Sequence, residues 1–422
     1  MRVALVHPSG PRHALFQLDA YCSQPQKGPF RWHPIEFLIL SGCWGDEAQV
    51  QIFDWGLGRP RDFAAQLKPF DLIIGLIGAY GWSAHLDFWR IALQTSRAKL
   101  YLSGDVARHG PQHVFQHLPE LAGILPEMTC PPPLYALSAG STHPYIWRPN
   151  QPSYVIPTAE RGFCCGVQDF TRFQHNLYHL PFGNRSPWAS TYTQTGCPYT
   201  CDYCIVGDYK WVPRDHAEFE AEVRALKVAG VKHLYVRDAT FNTMPSHTTA
   251  CIEILARTGL PWNTFARIEG CGPLAPALAR AGCTTLQFGL DSTDSDVLSQ
   301  HHKQIRTADL AGEIRAVRAA GIQTVGHFVA GLSQRDSPRA IARYAQRLGL
   351  DWITITPLMK RPGTAQWTED DYSTMDQLTA PGNPWDLLAG HLKFYLGAPS
   401  IIALLGSYGR AWARQQACKH RS

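Results

Sequence analysis

Gly196-Cys197-Pro198-Tyr199-Thr200-Cys201-Asp202-Tyr203-Cys204 is the stretch on which the reading of this sequence turns. It spaces three cysteines as C-x3-C-x2-C, directly after Ser190–Gln194, a short run that reads as a strand. Three thiolates this close can hold three irons of a [4Fe-4S] cluster and leave the fourth iron open to a chelating ligand. The competing readings are a zinc site and three unrelated core cysteines. Structural zinc takes four ligands, and this segment offers three with no spaced fourth Cys or His nearby. The rest of the 12 cysteines, Cys164-Cys165 among them, lack ligand spacing and read as buried free thiols.

Downstream of the loop, strand-like runs alternate with helical ones. After Ser190–Gln194 come Leu234–Arg237, Trp262–Ala266, Thr285–Gly289, Thr324–Val329 and Trp352–Thr356. The helices between them are punctuated. Asp215 with Glu218 has the capping-box spacing; Phe219, Val223 and Leu226 share a face, and Gly230 ends the run. Thr307 precedes Leu310, Ile314 and Val317, which Gly321 stops. Ser337-Pro338 opens a helix whose face is Ile341, Tyr344 and Leu348, and Gly349 closes it. Six such strands are too few for a closed eight-fold barrel and suit a partial (β/α)6 barrel over residues 187–367.

Upstream, residues 1–143 carry a second β-α series. Val3–Val6, Gln51–Asp54, Leu72–Ile77 and Lys99–Ser103 read as strands, with Leu121–Leu125 a fifth that Gly123 weakens. His33-Pro34 opens a helical run through Leu40, Ser83 is placed to cap one through Leu93, and another lies near Gln112–Leu118. This rhythm implies an α/β domain with a doubly wound, flavodoxin-like parallel sheet, whose ligands bind beyond the carboxyl ends of the strands. Residues 144–186, with Pro144, Pro149, Pro152 and Pro157, read as an irregular connector. Residues 368–422 read as a short helical tail, amphipathic over Trp385–Leu405.

Composition narrows the function classes. Hydrophobic residues are 45% and charged residues 17%, which supports packed cores and argues against disorder. A net charge of +5 from 39 Lys+Arg and 34 Asp+Glu is too mild to imply a nucleic-acid partner. No apolar run is long enough for a membrane span, and Met1 to His7 is too short for a signal peptide. Twelve cysteines without export signals point to a reducing, cytoplasmic compartment. The 13 Trp and 16 Tyr leave room for a pocket that takes a hydrophobic or planar small molecule, although core packing also uses such residues.

With Tyr203 before its last cysteine, the loop resembles the C-x3-C-x-aromatic-C signature of radical S-adenosylmethionine enzymes. The resemblance implies that Cys197, Cys201 and Cys204 hold the cluster, that its open iron binds S-adenosylmethionine, and that an external donor supplies electrons. It places Tyr203, Asp238, Arg267, Asp291, Gly326 and Val329 at the cofactor. Asp238 lies in the second strand's closing stretch, Arg267 follows the third, and Gly289-Leu290-Asp291-Ser292 resembles the family's Gly-Leu-Glu-Ser. Gly326-His327-Phe328-Val329-Ala330-Gly331 resembles the fifth strand, and Pro362-Gly363-Thr364 the turn after the sixth. Residues 1–143 resemble the cobalamin-binding domain of one large subgroup. Its contacts would then be the loops bearing His7, Ser9, Gly78, Tyr80, Ser103 and Gly104. Two departures stand out: Asp105 occupies the place of a second Gly, and the cobalamin-ligating D-x-H-x-x-G is absent. The lower face of cobalamin would then carry no protein histidine. The implied function is cobalamin-dependent methylation of an unactivated carbon. The alternatives are radical oxidation, ring contraction or cyclisation, and a non-catalytic iron–sulfur or corrinoid sensor.

Overall fold

In the computed structural model the apolar runs of the N-terminal part become one parallel sheet. The structure describes residues 1–10, 16–18, 23–25, 32–129, 131–155, 166–175, 178, 186–305 and 310–378. Strand β1 spans Arg2–His7, and β2 (Phe16–Leu18) pairs antiparallel with β3 (Ser23–Pro25). Then come β4 (Gln49–Asp54), β5 (Leu72–Leu76), β6 (Lys99–Ser103) and β7 (Gly123–Ile124). The sheet order is β4-β1-β5-β6-β7, all parallel, which is the flavodoxin-like arrangement. Every residue of β5 is buried, as a strand covered on both faces requires. Gly75 in its middle is a packing position: a Cβ there would lie 2.1 Å from the Trp89 ring.

Several local expectations shift. The fifth strand is only Gly123–Ile124, where Ile124 also bridges to Trp147. Ser83 caps nothing. The helix Trp82–Thr95 starts from Gly81 at φ +81°, and the Ser83 amide donates to Asp376 Oδ1 (3.0 Å). Gly104-Asp105 opens an extra helix, Asp105–His109, ahead of the helix Pro111–His117. The helix after His33-Pro34 is present as Ile35–Cys43.

Two compact units divide the described residues: 1–178 together with 361–378, and 186–360. Tyr372 and Met375, from beyond the second unit, are members of the first unit's hydrophobic core. Trp385–Leu405 and the cysteines at 22, 130, 164, 165 and 418 lie outside the described residues.

The second unit holds β8 (Trp188–Thr191), β9 (Gln194–Thr195), β10 (Val212–Pro213), β11 (His233–Val236) and β12 (Trp262–Ala266). It continues with β13 (Cys283–Asp291), β14 (Gln323–Ala330) and β15 (Trp352–Pro357). Ser190–Gln194 is thus not one strand. It breaks after Thr191, and Gln194–Thr195 pairs antiparallel with Val212–Pro213. The six-stranded sheet runs β8-β11-β12-β13-β14-β15, each strand parallel to its sequence neighbour, which is a partial barrel. Asp215 caps the helix His216–Val228 by accepting from the Ala217 and Glu218 amides. Ser337 likewise caps Pro338–Leu348 through the Ala340 amide.

The strands of this sheet alternate. Leu234, Trp262, Leu286, Phe288, Phe328 and Ile353 fall on one face, and all are buried. Phe328 meets Tyr344 of the helix Pro338–Leu348, so that face is the one under the helices. Ser190, Tyr235, Asn263, Gln287, His327 and Thr354 alternate onto the opposite face.

Candidate functional site

The cysteine loop is closed by its own backbone. Gly196 sits at φ +68°, and a Cβ there would lie 1.9 Å from the Lys210 carbonyl oxygen, so the turn demands glycine. The Cys197 amide donates to Tyr209 O (3.2 Å) and the Cys204 amide to Cys201 O (3.0 Å). The β9–β10 pair closes the base. Cys197, Cys201 and Cys204 are free and partly exposed, whereas Cys251, Cys271 and Cys283 are buried. Burial pushes the Cys201 thiol up to about 11, against the pull of Lys303. Binding a metal would displace that proton. Among the described residues, the set of three metal-ligating side chains within 4.8 Å of one another is His216, His247 and Cys251, not this trio. Three closely spaced cysteines suit a cluster with one open iron, whereas structural zinc takes four ligands.

Three side chains from distant parts of the sequence converge beside the loop. The Tyr203 hydroxyl donates to Asp291 Oδ2 (2.6 Å), and Lys303 donates to the same oxygen. Asp291 ends β13 where its register with β14 shifts, at φ +60°, an uncommon conformation for a residue with a Cβ. Asp336 holds the next turn by accepting from the Thr293 amide (2.9 Å). Burial disfavours the Lys303 ammonium, but Asp291 and the nearby thiols outweigh it, and its pKa is raised. Burial, then Asp291, raises Tyr203 as well, so it remains a phenol. Asp202 accepts from or pairs with His301 across 2.9 Å, a second tie between the loop and residues 301–303.

Arg267 is at the loop too. Its guanidinium lies 4.1 Å from the Tyr199 ring centroid, and it donates to Gln304 O (2.5 Å). Asp238 is engaged by the chain's own backbone ahead of the loop. It is fully buried and accepts from the Thr193 amide (2.8 Å), the Gln194 amide (3.3 Å) and the Thr193 hydroxyl. Burial holds its pKa up to about 7, against those hydrogen bonds and Arg214. Both oxygens therefore organise residues 193–194, the approach to Cys197.

Gly326 is brought to the helix-packed face, where a Cβ would lie 2.6 Å from Leu350. Its neighbours His327 and Val329 alternate onto the other face. There Trp188, Tyr235, Phe265 and His327 form a chain of rings with centroid spacings of 6.4, 6.2 and 5.0 Å. His327 is bonded at both nitrogens, Nδ1 with Thr354 (2.6 Å) and Nε2 with Gln287 (3.2 Å). Burial pulls its pKa down to about 4, so the ring is neutral near pH 7.

In the first unit the expected contact residues gather at one end of the sheet. His7 ends β1 and Ser9 follows it, and Gly78 and Tyr80 follow β5; these strands flank the point where the strand order reverses. Ser103 ends β6 beside them and Gly104 follows it. His7 is buried. Its Nε2 accepts from the Leu18 amide (2.8 Å), which leaves Nδ1–H to donate to Pro8 O (2.9 Å). Gly104 answers a packing need: at φ +128° a Cβ would lie 2.0 Å from Ile77 O. Asp105 does not project where a second Gly would help. It turns inward and accepts from the Ala79 amide (3.0 Å) and the Val106 amide (2.7 Å).

Sequence reasoning missed Lys303, Thr193, Gln194 and Asp336. Each meets the site through strand-end geometry that no local spacing encodes. The period-two alternation of Gln287, Gly289, His327 and Val329 was the signal available for the second face.

Residues 191–345 match the family model of the radical SAM superfamily. The chain is 24% identical over 193 residues to an uncharacterized methyltransferase of Pyrococcus horikoshii, covering 43% of this chain and 41% of that one. It is 25% identical over 138 residues to tryptophan 2-C-methyltransferase of Streptomyces laurentii, covering 29% and 23%. The matched stretches thus span less than half of either curated relative. Among solved structures, TsrM is a radical S-adenosylmethionine methyltransferase from Kitasatospora setae. Its structure with cobalamin and a [4Fe-4S] cluster superposes with a TM-score of 0.63 at 16% identity, over 86% of this chain and 73% of that one. That likeness shows a shared fold.

Proposed function

We propose that this chain, whose residues 191–345 form a radical SAM domain, is a cobalamin-dependent radical S-adenosylmethionine enzyme that methylates an unactivated carbon of a small molecule. The observation that carries the reading is the cysteine loop: three free, partly exposed thiols on a hairpin beside the carboxyl end of β13. A sheet of flavodoxin-like order in the first unit supports the corrinoid part. The tryptophan substrate in another TsrM structure, TM-score 0.63 over 98% of this chain and 88% of that one, supports a planar or hydrophobic substrate.

When bound, the cluster supplies one electron to the sulfonium cofactor and the corrinoid supplies a methyl group for transfer to carbon. Cys197, Cys201 and Cys204 would hold the cluster. Tyr203 and Lys303, locked on Asp291, fix the loop's side and place a cation close to the thiolates. Arg267 covers Tyr199, and Asp238 fixes the backbone before Cys197. The neutral His327, the Trp188–Tyr235–Phe265 rings and Val329 offer stacking surface and hydrogen bonds on the sheet's open-patterned face. In the first unit, both nitrogens of His7 are occupied by backbone, so it offers no ligand to a metal. A corrinoid there would be held by the Ser9, Gly78, Tyr80, Ser103 and Gly104 loops at its edge, with its lower face free of protein histidine.

The reading also implies a reducing, cytoplasmic setting and an external electron donor; the seven described cysteines are all free, and no described helix is long and apolar enough to cross a membrane. The experiment is anaerobic purification, reconstitution of the cluster, and corrinoid and metal analysis, followed by mass spectrometry of products. Retained corrinoid and a product heavier by one CH₂ support the proposal. Loss of hydrogen or gain of oxygen in the product replaces methylation with radical oxidation. Absence of 5′-deoxyadenosine and of any product leaves only a sensor.

A further inference from the structure

We infer that His216, His247 and Cys251 form a binding site for one borderline divalent metal ion of the zinc class, separate from the cysteine loop. The three side chains come from two helices, His216–Val228 and Pro245–Thr258, and their ligand atoms lie within 4.8 Å of one another. His247 and Cys251 are one turn apart, on one face of their helix. His216 stands at the first position of its helix and is exposed, so an ion has a path in from solvent.

The hydrogen bonds around His247 are those of a ligand held ready. Its Nε2 lies 3.1 Å from the Thr193 carbonyl oxygen and donates to it. That leaves the Nδ1 lone pair directed at Nε2 of His216, 3.0 Å away. A metal-bound imidazole characteristically donates its other N–H to a backbone carbonyl, which fixes ring and tautomer. Two nitrogens on one tetrahedral zinc stand about 3.3 Å apart, given Zn–N bonds of roughly 2.0 Å, so this pair already has the required spacing. Cys251 supplies the third donor. Its sulfur lies 3.5 Å from Nε2 of His247, and the ligand atoms of all three residues lie within 4.8 Å of one another. A cysteine ligates as the thiolate, so metal binding releases its proton. Three protein donors leave a fourth position for water or an exogenous ligand on the exposed side.

The location suggests the consequence. Thr193, which accepts from His247, also donates to Asp238 and sits four residues before Cys197. Trp211 packs edge-on against His247 (5.8 Å) and donates to Gln194 Oε1 (2.7 Å). An ion here would brace two helices against the segment that feeds the cysteine loop, independently of the reaction that loop performs.

The test uses the full-length protein with its cluster reconstituted, titrated with zinc chloride by calorimetry and examined by zinc X-ray absorption. The expected result is one zinc per chain, a shell of two nitrogens and one sulfur from protein, and release of one proton. His216→Ala, on an exposed first turn, should weaken binding by at least about tenfold. Cys251→Ser should remove the sulfur signal and the proton release. The inference is overturned by no uptake in the wild type, by undiminished affinity in His216→Ala, or by a sulfur-dominated shell, which would place zinc at Cys197, Cys201 and Cys204.

Discussion

The molecule contains two parallel sheets that treat their faces differently. In the five-stranded sheet the inner strands are buried on both faces: β1 from Val3 onward and β5 throughout. Such a sheet can offer a ligand only its strand ends, and its candidate contacts, His7 to Gly104, all lie there. In the six-stranded sheet one face is apolar beneath helices, while the other carries Ser190, Tyr235, Asn263, Gln287, His327 and Thr354. This sheet can present chemistry along a face as well as at its rim. Strand composition therefore separates a sheet that can offer a ligand only its edge from one that can also offer it a face.

The largest expected effect breaks the second sheet's site and spares the first. Replacing Cys197, Cys201 and Cys204 together with Ala should abolish the iron–sulfur absorption near ~400 nm and all formation of 5′-deoxyadenosine, with corrinoid retention unchanged. A triple variant that still reconstitutes a full cluster would refute the assignment. The reverse perturbation is Gly104→Ala. The backbone at φ +128° and the Ile77 oxygen 2.0 Å away leave no room for a methyl group. A loss of about 3 kcal/mol is expected, read as earlier unfolding of the first unit with cluster content intact.

An effect smaller per pH unit tests Asp238. Its native pKa, near 7, lies above the value of an unfolded aspartate, so the native state binds the extra proton. Stability of its surroundings should then fall as pH rises from about 4 to 7, by up to roughly 1.4 kcal/mol per unit. Hydrogen exchange at the Thr193 and Gln194 amides measures this, and Asp238→Asn should flatten the slope. An identical slope in the variant would assign the titration elsewhere. The smallest effect is Ser83→Ala. A lost helix cap costs about 1 kcal/mol, but Ser83 is not a cap; the variant loses only an exposed hydroxyl bond to Asp376, whose bond from the Ser83 amide remains, so the change in unfolding free energy should stay below about 0.5 kcal/mol.

What was legible in the sequence follows from how local its cause is. The cysteine loop was readable because three ligands within eight positions carry their own geometry. The Asp215 and Ser337 caps were readable for the same reason. Lys303 was not, because its meeting with Asp291 depends on how the chain returns after the helix Ser295–Gln300. Gly104 and Gly326 were visible as glycines, but a glycine does not announce whether it makes way for a ligand or for its own fold. Here Ile77 and Leu350 are what crowd them. Ser83 misled because a serine near a helix start looks the same whether its hydroxyl turns to its own helix or to Asp376.

Tyr372 and Met375 belong to the core of the unit that begins at Met1. During translation the ribosome therefore emits most of that unit, then all of the six-stranded sheet, and only afterwards the residues that finish the first. At 5–20 residues per second the wait is on the order of 10–40 s. The second unit pairs each strand with its sequence predecessor and can add them one by one as they emerge. Of the two units, the one whose synthesis starts first is thus the last to reach its final form, and a nascent chain stalled before residue 361 would hold a finished sheet of six strands behind an unsealed first core.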